Sequence, residues 1–156
     1  MSEAAAPESV TMMDAPIRLT YSYTPGVAQS EFLRALTERR ILGQRCSTCE
    51  QVYVPPRGMC ARDGIALEGT FELPDTGVVS GFCIVNIPFA GQAVECPYVS
   101  ASITFDGADI PIFHLVQEID PAAVHVGMRV QAVWSEEPQP SMQTIRYFRP
   151  LEAADA

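Results

Sequence analysis

Three cysteines and an aspartate near the middle of the chain have the types and spacing of metal ligands. Cys46 and Cys49 are two residues apart, and Cys60 and Asp63 repeat that spacing. A two-residue turn can direct both side chains at one ion, and structural zinc takes four ligands, usually Cys or His and less often Asp. Cys46, Cys49, Cys60 and Asp63 therefore predict a structural zinc site. A metal-free or easily stripped relic is the alternative, and iron is disfavoured because a rubredoxin-type site uses four thiolates.

No other group of residues has a pattern typical of catalysis. The sequence lacks a G-x-S-x-G elbow, a phosphate-binding loop and a G-x-G-x-x-G fingerprint. His114 alternates with apolar neighbours, which predicts a barrel histidine with satisfied hydrogen bonds rather than a general base, and His125 lies in a connection, where a solvated side chain is expected. Asp106 and Asp109 flank a turn and are interpreted as turn formers. We expect no self-sufficient active site.

The charge distribution is uneven. The net charge is −9, and all ten basic residues are arginines, so the acidic balance opposes non-specific nucleic-acid binding. Six arginines nevertheless lie in one segment and could attract an anionic ligand or an acidic partner surface, or be solvated surface charges: Arg34, Arg39, Arg40, Arg45, Arg57 and Arg62. Five cysteines is an odd count that opposes a disulfide framework. We expect Cys83 and Cys96 to be small buried hydrophobic residues.

The N-terminal segment has no targeting pattern. Residues 1–14 carry acidic but no basic side chains and no apolar core of a signal peptide. We predict a disordered tail at 1–14, a cytoplasmic protein without a membrane span, and a short acidic tail at 151–156.

An arm and one amphipathic helix are predicted for residues 15–43. Prolines interrupt the segment around Tyr21 and Tyr23, which indicates an extended arm that packs on a partner chain. Phe32 and Leu36 follow helical spacing, and a helix is predicted over 30–42, with Ser30 as its cap and Gly43 just after its end. Because so short a helix is marginal alone, we expect Tyr21, Tyr23, Phe32 and Leu36 at a partner interface.

The remainder of the chain predicts a small β-barrel. After the ribbon module at 44–68, the apolar pattern changes to period two, and strands are predicted at 77–87, 98–105, 110–117, 129–135 and 144–148. Five short strands with a long first one suit a barrel of the OB type over 69–150, with a sandwich fragment as the alternative. The connection at 88–96 is long and carries Phe89, which we predict to be a partner contact.

In order along the chain, these motifs resemble the domain-of-unknown-function-35 family. The similarity covers about residues 21–150 and is carried by seven short motifs. They are Phe32-Leu33-x-x-Leu36, Ile41-Leu42-Gly43-x-Arg45-Cys46-x-x-Cys49, Val54-Pro55-Pro56-Arg57-x-x-Cys60, Gly77-Val78-Val79, Pro97-Tyr98-Val99, Val126-Gly127-Met128-Arg129-Val130 and Tyr147-Phe148-Arg149-Pro150. The chain departs from the family at Asp63, where the pattern has cysteine, and at Glu50, where it usually has glycine.

The resemblance implies a mainly β protein with an N-terminal helical arm, a rubredoxin-like zinc ribbon and a five-stranded OB-fold barrel. It also implies an accessory subunit of a thiolase-superfamily enzyme that acts on acyl-CoA, such as a thiolase or a retro-aldolase that shortens steroid side chains. The catalytic residues would lie on the thiolase-fold partner, in a heterotetramer around a thiolase dimer.

Coenzyme A is a polyanion, and Arg45 and Arg57 are the predicted neighbours of its phosphates. The alternative is that they pair with Glu31, Glu38 or Glu50. A single-stranded nucleic-acid-binding ribbon and OB protein remains the alternative function, although only Arg129, Arg146 and Arg149 follow Thr70.

Overall fold

The computed structural model describes residues 19–151 of the chain. The predicted tail at 1–14 lies outside these residues, as does the predicted acidic tail apart from Leu151. No helix within 19–151 combines the length and the apolar character needed to cross a membrane.

The α-helix of the described chain, α1 (Val27–Leu36), starts and ends earlier than predicted. Gly26 is its N-cap residue, and Ser30, the predicted cap, lies inside it and donates a hydrogen bond to the Pro25 carbonyl at 3.2 Å. After the helix, Arg39 adopts a left-handed conformation with φ 59°, which reverses the chain. The prediction that the helix continues to residue 42 was therefore wrong.

The first strand, β1 (Ile41–Arg45), occupies the end of the predicted helix. Gly43 is not a helix cap but lies in this strand, where an added Cβ would come within 2.7 Å of Leu73 Cδ1 and 3.3 Å of Val52 Cγ1. The glycine therefore lets two neighbouring strands supply side chains that pack directly over the β1 backbone.

The ribbon contains a three-stranded antiparallel sheet with β1 in its centre. On one side β1 pairs with β2 (Val52–Tyr53), and on the other side with β3 (Phe71–Leu73). β3 was not predicted, because three residues are too few to display an alternating pattern. It falls inside the range predicted for the barrel, although its partner belongs to the ribbon.

Five strands form a closed barrel, which confirms the predicted OB-type architecture. They run in the order β4-β5-β6-β8-β7. Their bounds are β4 (Thr76–Val85), β5 (Tyr98–Phe105), β6 (Ile112–Val116), β7 (Arg129–Trp134) and β8 (Ile145–Pro150). Strict alternation of buried and half-buried residues along β5 places every second side chain in the barrel interior.

Helix, ribbon and barrel share one apolar core. Phe32 and Leu36 from α1 are fully buried in the same cluster as Ile41 and Val52 from the ribbon and Phe148 from the barrel. Burying a side chain of this size removes it from water with a gain of about 1.5–3 kcal/mol. The helix is thus stabilised by packing within its own chain, as a helix of this length requires.

A reciprocal pair of hydrogen bonds joins ribbon and barrel. The Val52 N–H donates to Asp109 Oδ2 at 2.7 Å, and the Asp109 N–H donates to the Val52 carbonyl at 3.1 Å. Ile110, next to Asp109, packs against the small apolar cluster around the predicted metal ligands. The connection between β5 and β6 therefore fixes β2 to the barrel.

Candidate metal centre

Two turns of the same shape carry the four predicted ligands. In each turn the N–H of the fifth residue donates to the carbonyl of the first, from Glu50 to Cys46 and from Gly64 to Cys60, both at 3.0 Å. The fifth residue is left-handed in both, with φ 61° at Glu50 and 67° at Gly64. Glycine adopts this conformation without cost and glutamate does not, so the departure at Glu50 leaves the turn intact but strained.

The four side chains fit a tetrahedral metal. Their ligand atoms all lie within 4.8 Å of one another. Cys49 Sγ is 3.7 Å from Cys60 Sγ, and Asp63 Oδ2 is 3.3 Å from Cys46 Sγ and 3.5 Å from Cys60 Sγ. Zinc bonds of about 2.3 Å to sulfur and 2.0–2.2 Å to oxygen place tetrahedral ligands about 3.6–3.8 Å apart. Cys46, Cys49, Cys60 and Asp63 would hold zinc as a structural ion that closes the ribbon.

Hydrogen-bond donors surround the sulfur atoms on the protein side. The N–H of Thr48 donates to Cys46 Sγ at 3.4 Å, and the N–H of Asp63 donates to Cys60 Sγ at 3.3 Å. Such donors favour the thiolate form that binds metal. Cys46 and Cys60 are buried, whereas Asp63 is exposed, so solvent reaches the centre on its carboxylate side.

The same contacts shift the pKa of each ligand. Hydrogen bonds from the thiols of Cys49 and Cys46 hold the pKa of Asp63 below its ordinary value, and the contact with Asp63 raises the pKa of Cys49 to about 12. The hydrogen bond with Tyr53 lowers the pKa of Cys60 and raises that of Tyr53. Metal binding must displace thiol protons, so occupancy depends on pH.

Gln44 is a structural residue of the ribbon that the sequence interpretation missed. It is 4% exposed, donates through Nε2 to the Leu67 carbonyl at 3.1 Å and accepts through Oε1 from the Gly58 N–H at 2.8 Å. It therefore holds both sides of the loop that carries Cys60. The signal in the sequence was a single polar side chain within an apolar strand.

The two arginines predicted to lie near a coenzyme A phosphate are both exposed. Arg45 donates to the Glu50 carbonyl at 3.3 Å and lies over the Phe71 ring, while Arg57 lies 5.3 Å from the centre of the Tyr53 ring. Among the described residues, neither guanidinium forms an ion pair with the glutamates named as the alternative. Pairing with these carboxylates was therefore wrong, and Arg45 contacts Glu50 only through its backbone carbonyl. Aromatic faces lie beneath both guanidinium groups.

The residues predicted for a partner interface separate into two groups. Tyr21, Tyr23 and Phe89 are 76%, 65% and 62% exposed. Phe32 and Leu36 are 0% exposed, so their assignment to a partner interface was wrong. The helical spacing identified an apolar face correctly, but that face packs against this chain's own ribbon and barrel.

The outer surface of the barrel carries further exposed apolar residues. Phe113 on β6 is 78% exposed, and Ile87 after β4 is 81% exposed. An open groove of about 630 Å³ lies beside Phe113, between β6 and the start of β8. Cys83, predicted to be buried, is exposed on β4, because its register partner Ser100 points out of the barrel.

His114 is a half-buried barrel residue on β6, and His125 lies in a connection, as predicted. The Leu115 N–H donates to His114 Nδ1 at 2.9 Å, and the His114 ring packs edge-on against Phe148. Burial lowers the pKa of His114, which keeps the imidazole neutral. His125 is exposed in the connection before β7.

Family models match both parts of the chain. The model of the ChsH2 rubredoxin-like zinc ribbon domain matches residues 34–66, and the model of the ChsH2 C-terminal OB-fold domain matches residues 71–135. The first match contains all four candidate ligands. The second begins at β3 and covers the barrel strands β4, β5, β6 and β7.

Two curated proteins are similar in sequence. A DUF35 domain-containing scaffold protein of Methanocaldococcus jannaschii is 30% identical over 118 residues, which are 72% of this chain and 82% of that protein. A probable enoyl-CoA hydratase alpha subunit of Thermomonospora curvata is 31% identical over 119 residues, which are 76% of this chain. The chain spans only 36% of that second protein.

Two solved structures share the architecture. A chain of the Ltp2-ChsH2(DUF35) aldolase superposes with a TM-score of 0.61 at 25% identity, over 83% of this chain and 98% of that one. A DUF35 protein of unknown function from Sulfolobus solfataricus also gives 0.61, at 21% identity, over 80% and 84% of the two chains. The second likeness concerns the fold alone.

Proposed function

The chain belongs to the DUF35 family, with a zinc ribbon and an OB fold of the ChsH2 type, and on that premise we propose that it is a non-catalytic accessory subunit of an acyl-CoA-processing enzyme of the thiolase superfamily. The observation that carries the proposal is the likeness to almost the whole of the DUF35 chain in an aldolase complex. The name of the methanogen relative, a scaffold protein, points to the same kind of role.

The chemistry of the described residues supports a non-catalytic role. The three cysteines of the ribbon converge on one another and on Asp63, so they serve as ligands rather than nucleophiles. His114 packs against Phe148 with its Nδ1 occupied by a backbone N–H. A general base must lie within about 2.6–3.2 Å of the group from which it removes a proton. Within residues 19–151, His114 forms no hydrogen bond with a nucleophilic side chain.

The exposed apolar surface supports binding to a partner. Tyr21, Tyr23, Ile87, Phe89 and Phe113 all expose more than half of their surface. Aromatic side chains are enriched in protein interfaces because they bury a large area with few rotatable bonds. We propose that these residues contact the thiolase-fold subunit, in a heterotetramer built around a thiolase dimer.

We further propose that Arg45 and Arg57 lie beside the phosphates of the acyl-CoA that the partner binds. Both are exposed and free of ion pairs with carboxylates among the described residues. A guanidinium that is not neutralised by a carboxylate can donate several hydrogen bonds to a phosphate. The aromatic rings beneath them hold both groups in place without satisfying their donors.

The preferred reaction of the complex is retro-aldol cleavage in steroid side-chain degradation, with thiolysis as the second possibility. The word aldolase in the name of the structural relative supports the first. The nucleic-acid alternative finds less support: of the three barrel arginines, Arg129 is held by Asp106 at 2.5 Å.

Co-expression with a candidate thiolase-fold chain tests the proposal. We expect a stable complex in size-exclusion chromatography with light scattering, and its mass gives the stoichiometry. Phe113→Asp and Phe89→Asp should weaken the complex, whereas Val126→Asp is the matched control. Val126 is an exposed apolar residue like the other two, with 63% of its surface accessible, but it is not one of the proposed contact residues. It precedes Gly127, whose N–H donates to the carbonyl of Val79 on β4. Separate migration of the two chains at micromolar concentration would refute the partnership.

Activity measurements on the complex test the remaining parts. A retro-aldol substrate and a thiolysis substrate, each as the CoA thioester, decide between the reactions. Arg45→Ala and Arg57→Ala should raise KM for the thioester without lowering kcat, because they remove binding of the CoA moiety rather than chemistry. Unchanged KM in both variants would contradict the phosphate assignment. Salt-dependent binding of a single-stranded oligonucleotide would instead favour the alternative function.

A further inference from the structure

We propose that Tyr53 is a positioning residue of the metal centre, whose hydroxyl donates a hydrogen bond to the Cys60 thiolate and so increases metal retention. Tyr53 is not itself a ligand. It lies on β2, seven residues before Cys60, and the oxygen of its hydroxyl is 3.3 Å from Cys60 Sγ.

The position of the hydroxyl is tightly determined. Tyr53 is 1% exposed, so its only neighbours are protein atoms. The oxygen accepts a hydrogen bond from the Ala61 N–H at 3.2 Å and is 2.9 Å from Gln51 Oε1. Because Ala61 directly follows Cys60, these contacts place the phenol against the turn that carries two of the four ligands.

The ring is also held from its face. The guanidinium of Arg57 lies 5.3 Å from the ring centre, a cation–π geometry that favours a fixed ring orientation. Arg57 thereby connects the Pro55-Pro56 turn to the phenol. The orientation of the hydroxyl is thus set by residues on both sides of the ring.

The single phenolic proton has two possible acceptors, Gln51 Oε1 and Cys60 Sγ. An anionic sulfur attracts it more strongly than a neutral amide oxygen, because hydrogen bonds to charged acceptors are about twice as strong as neutral ones. The Gln51 side chain can rotate by half a turn and donate its N–H to the phenolic oxygen instead. A thiolate at Cys60 therefore selects the arrangement in which Tyr53 donates to sulfur.

The other sulfur contacts explain why this donor matters. Three thiolates and one carboxylate around a divalent ion carry a net charge of −2. Two of the three cysteines, Cys46 and Cys60, are buried. Hydrogen bonds are what offset the burial of such charge. Asp63 faces solvent, so water can compete at that ligand, and retention depends on the strength of the buried thiolate bonds.

The test is Tyr53→Phe, which keeps the ring, its volume and the contact with Arg57 while deleting the hydroxyl. We expect zinc affinity, measured by competition with a chromophoric chelator, to fall by about 10- to 100-fold, the usual effect of removing an outer-shell hydrogen bond. With Co²⁺ in place of zinc, the thiolate-to-cobalt charge-transfer band should move to longer wavelength, because the sulfur loses a hydrogen bond that stabilises its electrons.

Tyr147→Phe is the matched control, since the Tyr147 hydroxyl donates to Glu118 on the barrel at 2.5 Å. It should leave both the affinity and the band unchanged. If Tyr53→Phe folds only with metal present, the rate of zinc release to excess chelator replaces the affinity measurement. An affinity or release rate within twofold of the unmodified protein would overturn the proposal. So would a loss of affinity with an unchanged cobalt band, because that result would assign Tyr53 to packing alone.

Discussion

Replacing Asp109 tests whether the hydrogen bonds between ribbon and barrel stabilise the fold. The Asp109→Ala variant removes the carboxylate that accepts from the Val52 N–H at 2.7 Å. Val52 is 2% exposed, so its N–H cannot turn to water. A hydrogen bond to a charged acceptor contributes about 1.5–3 kcal/mol, and Asp109 itself is exposed, so the lower half of that range applies.

The expected loss is therefore about 1.5–2 kcal/mol of the free energy of unfolding. For a chain of this size each kcal/mol moves Tm by about 2–4 °C, which gives a decrease of about 3–8 °C. Asp109→Asn keeps an acceptor at the same place and should lose less than half as much. The backbone bond from the Asp109 N–H to the Val52 carbonyl remains in both variants.

Thermal unfolding with excess zinc measures this effect, followed by far-UV circular dichroism and by the fluorescence of Trp134, the single tryptophan, on β7 of the barrel. Asp120→Ala is the matched control. Its carboxylate also accepts from a backbone N–H, that of Ala122 at 2.9 Å, but on an exposed turn, where the loss should be below about 1 kcal/mol. If Asp109→Ala lies within about 0.5 kcal/mol of the unmodified protein, or if both substitutions cost the same, the reasoning is refuted.

Three further predictions concern the ribbon turns and the barrel. Asp63→Cys should slow zinc release to a chelator and Asp63→Ala should accelerate it, each by more than about tenfold, and equal rates would contradict ligation by Asp63. Glu50→Gly should raise the free energy of unfolding by about 0.5–1 kcal/mol, because glycine adopts the φ of 61° without strain. A higher Tm would show this, whereas an unchanged or lower Tm would contradict strain at Glu50. The Arg129 guanidinium lowers the pKa of Asp106, so this pair stabilises the fold above the unfolded pKa of about 3.9 and the gain disappears as pH falls through the folded value. Arg129→Gln should therefore lower the free energy of unfolding at pH 7 by no more than about 1 kcal/mol, because the pair is exposed, and should leave it unchanged at pH 2–3. Thermal unfolding at the two pH values measures this, and a difference that does not depend on pH would exclude the ion pair as its cause.

The barrel could be predicted from the sequence because its strands are buried on one face only. Along β5 (Tyr98–Phe105) each buried residue alternates with a half-buried one, so the period of two is visible in the residue types, and the predicted bounds of this strand agree with the structure. The metal ligands were equally visible, since their spacing of two residues is local. Asp63 was identified because it takes the place of a cysteine in a repeated turn.

The remaining features depend on contacts between distant parts of the chain. Gln44 binds a carbonyl 23 residues away, and Val52 binds a carboxylate 57 residues away, and neither distance leaves a local pattern. Ile41 and Leu42 continue the apolar spacing of α1, yet they form a strand because Arg39 reverses the chain and their backbone pairs with β3. The apolar face of α1, with Phe32 and Leu36, correctly predicted that these side chains are buried. The sequence could not show whether a partner chain or this chain's own core buries them.

The position of β3 has a consequence for how this architecture can be divided or inherited. Phe71–Leu73 completes the ribbon sheet, and only Pro74 and Asp75 separate it from β4 of the barrel. A cut before β3 would leave β1 with an unpaired edge. A cut after β3 would separate Leu73 from Gly107 of the barrel, beside which its side chain lies. The ribbon and the barrel have separate domain names, but neither is complete without the other. We therefore expect them to be exchanged between proteins only as one piece. A gene fusion or truncation that treats them as interchangeable parts should yield insoluble halves, whereas one that transfers the whole of residues 27–150 should yield a folded protein.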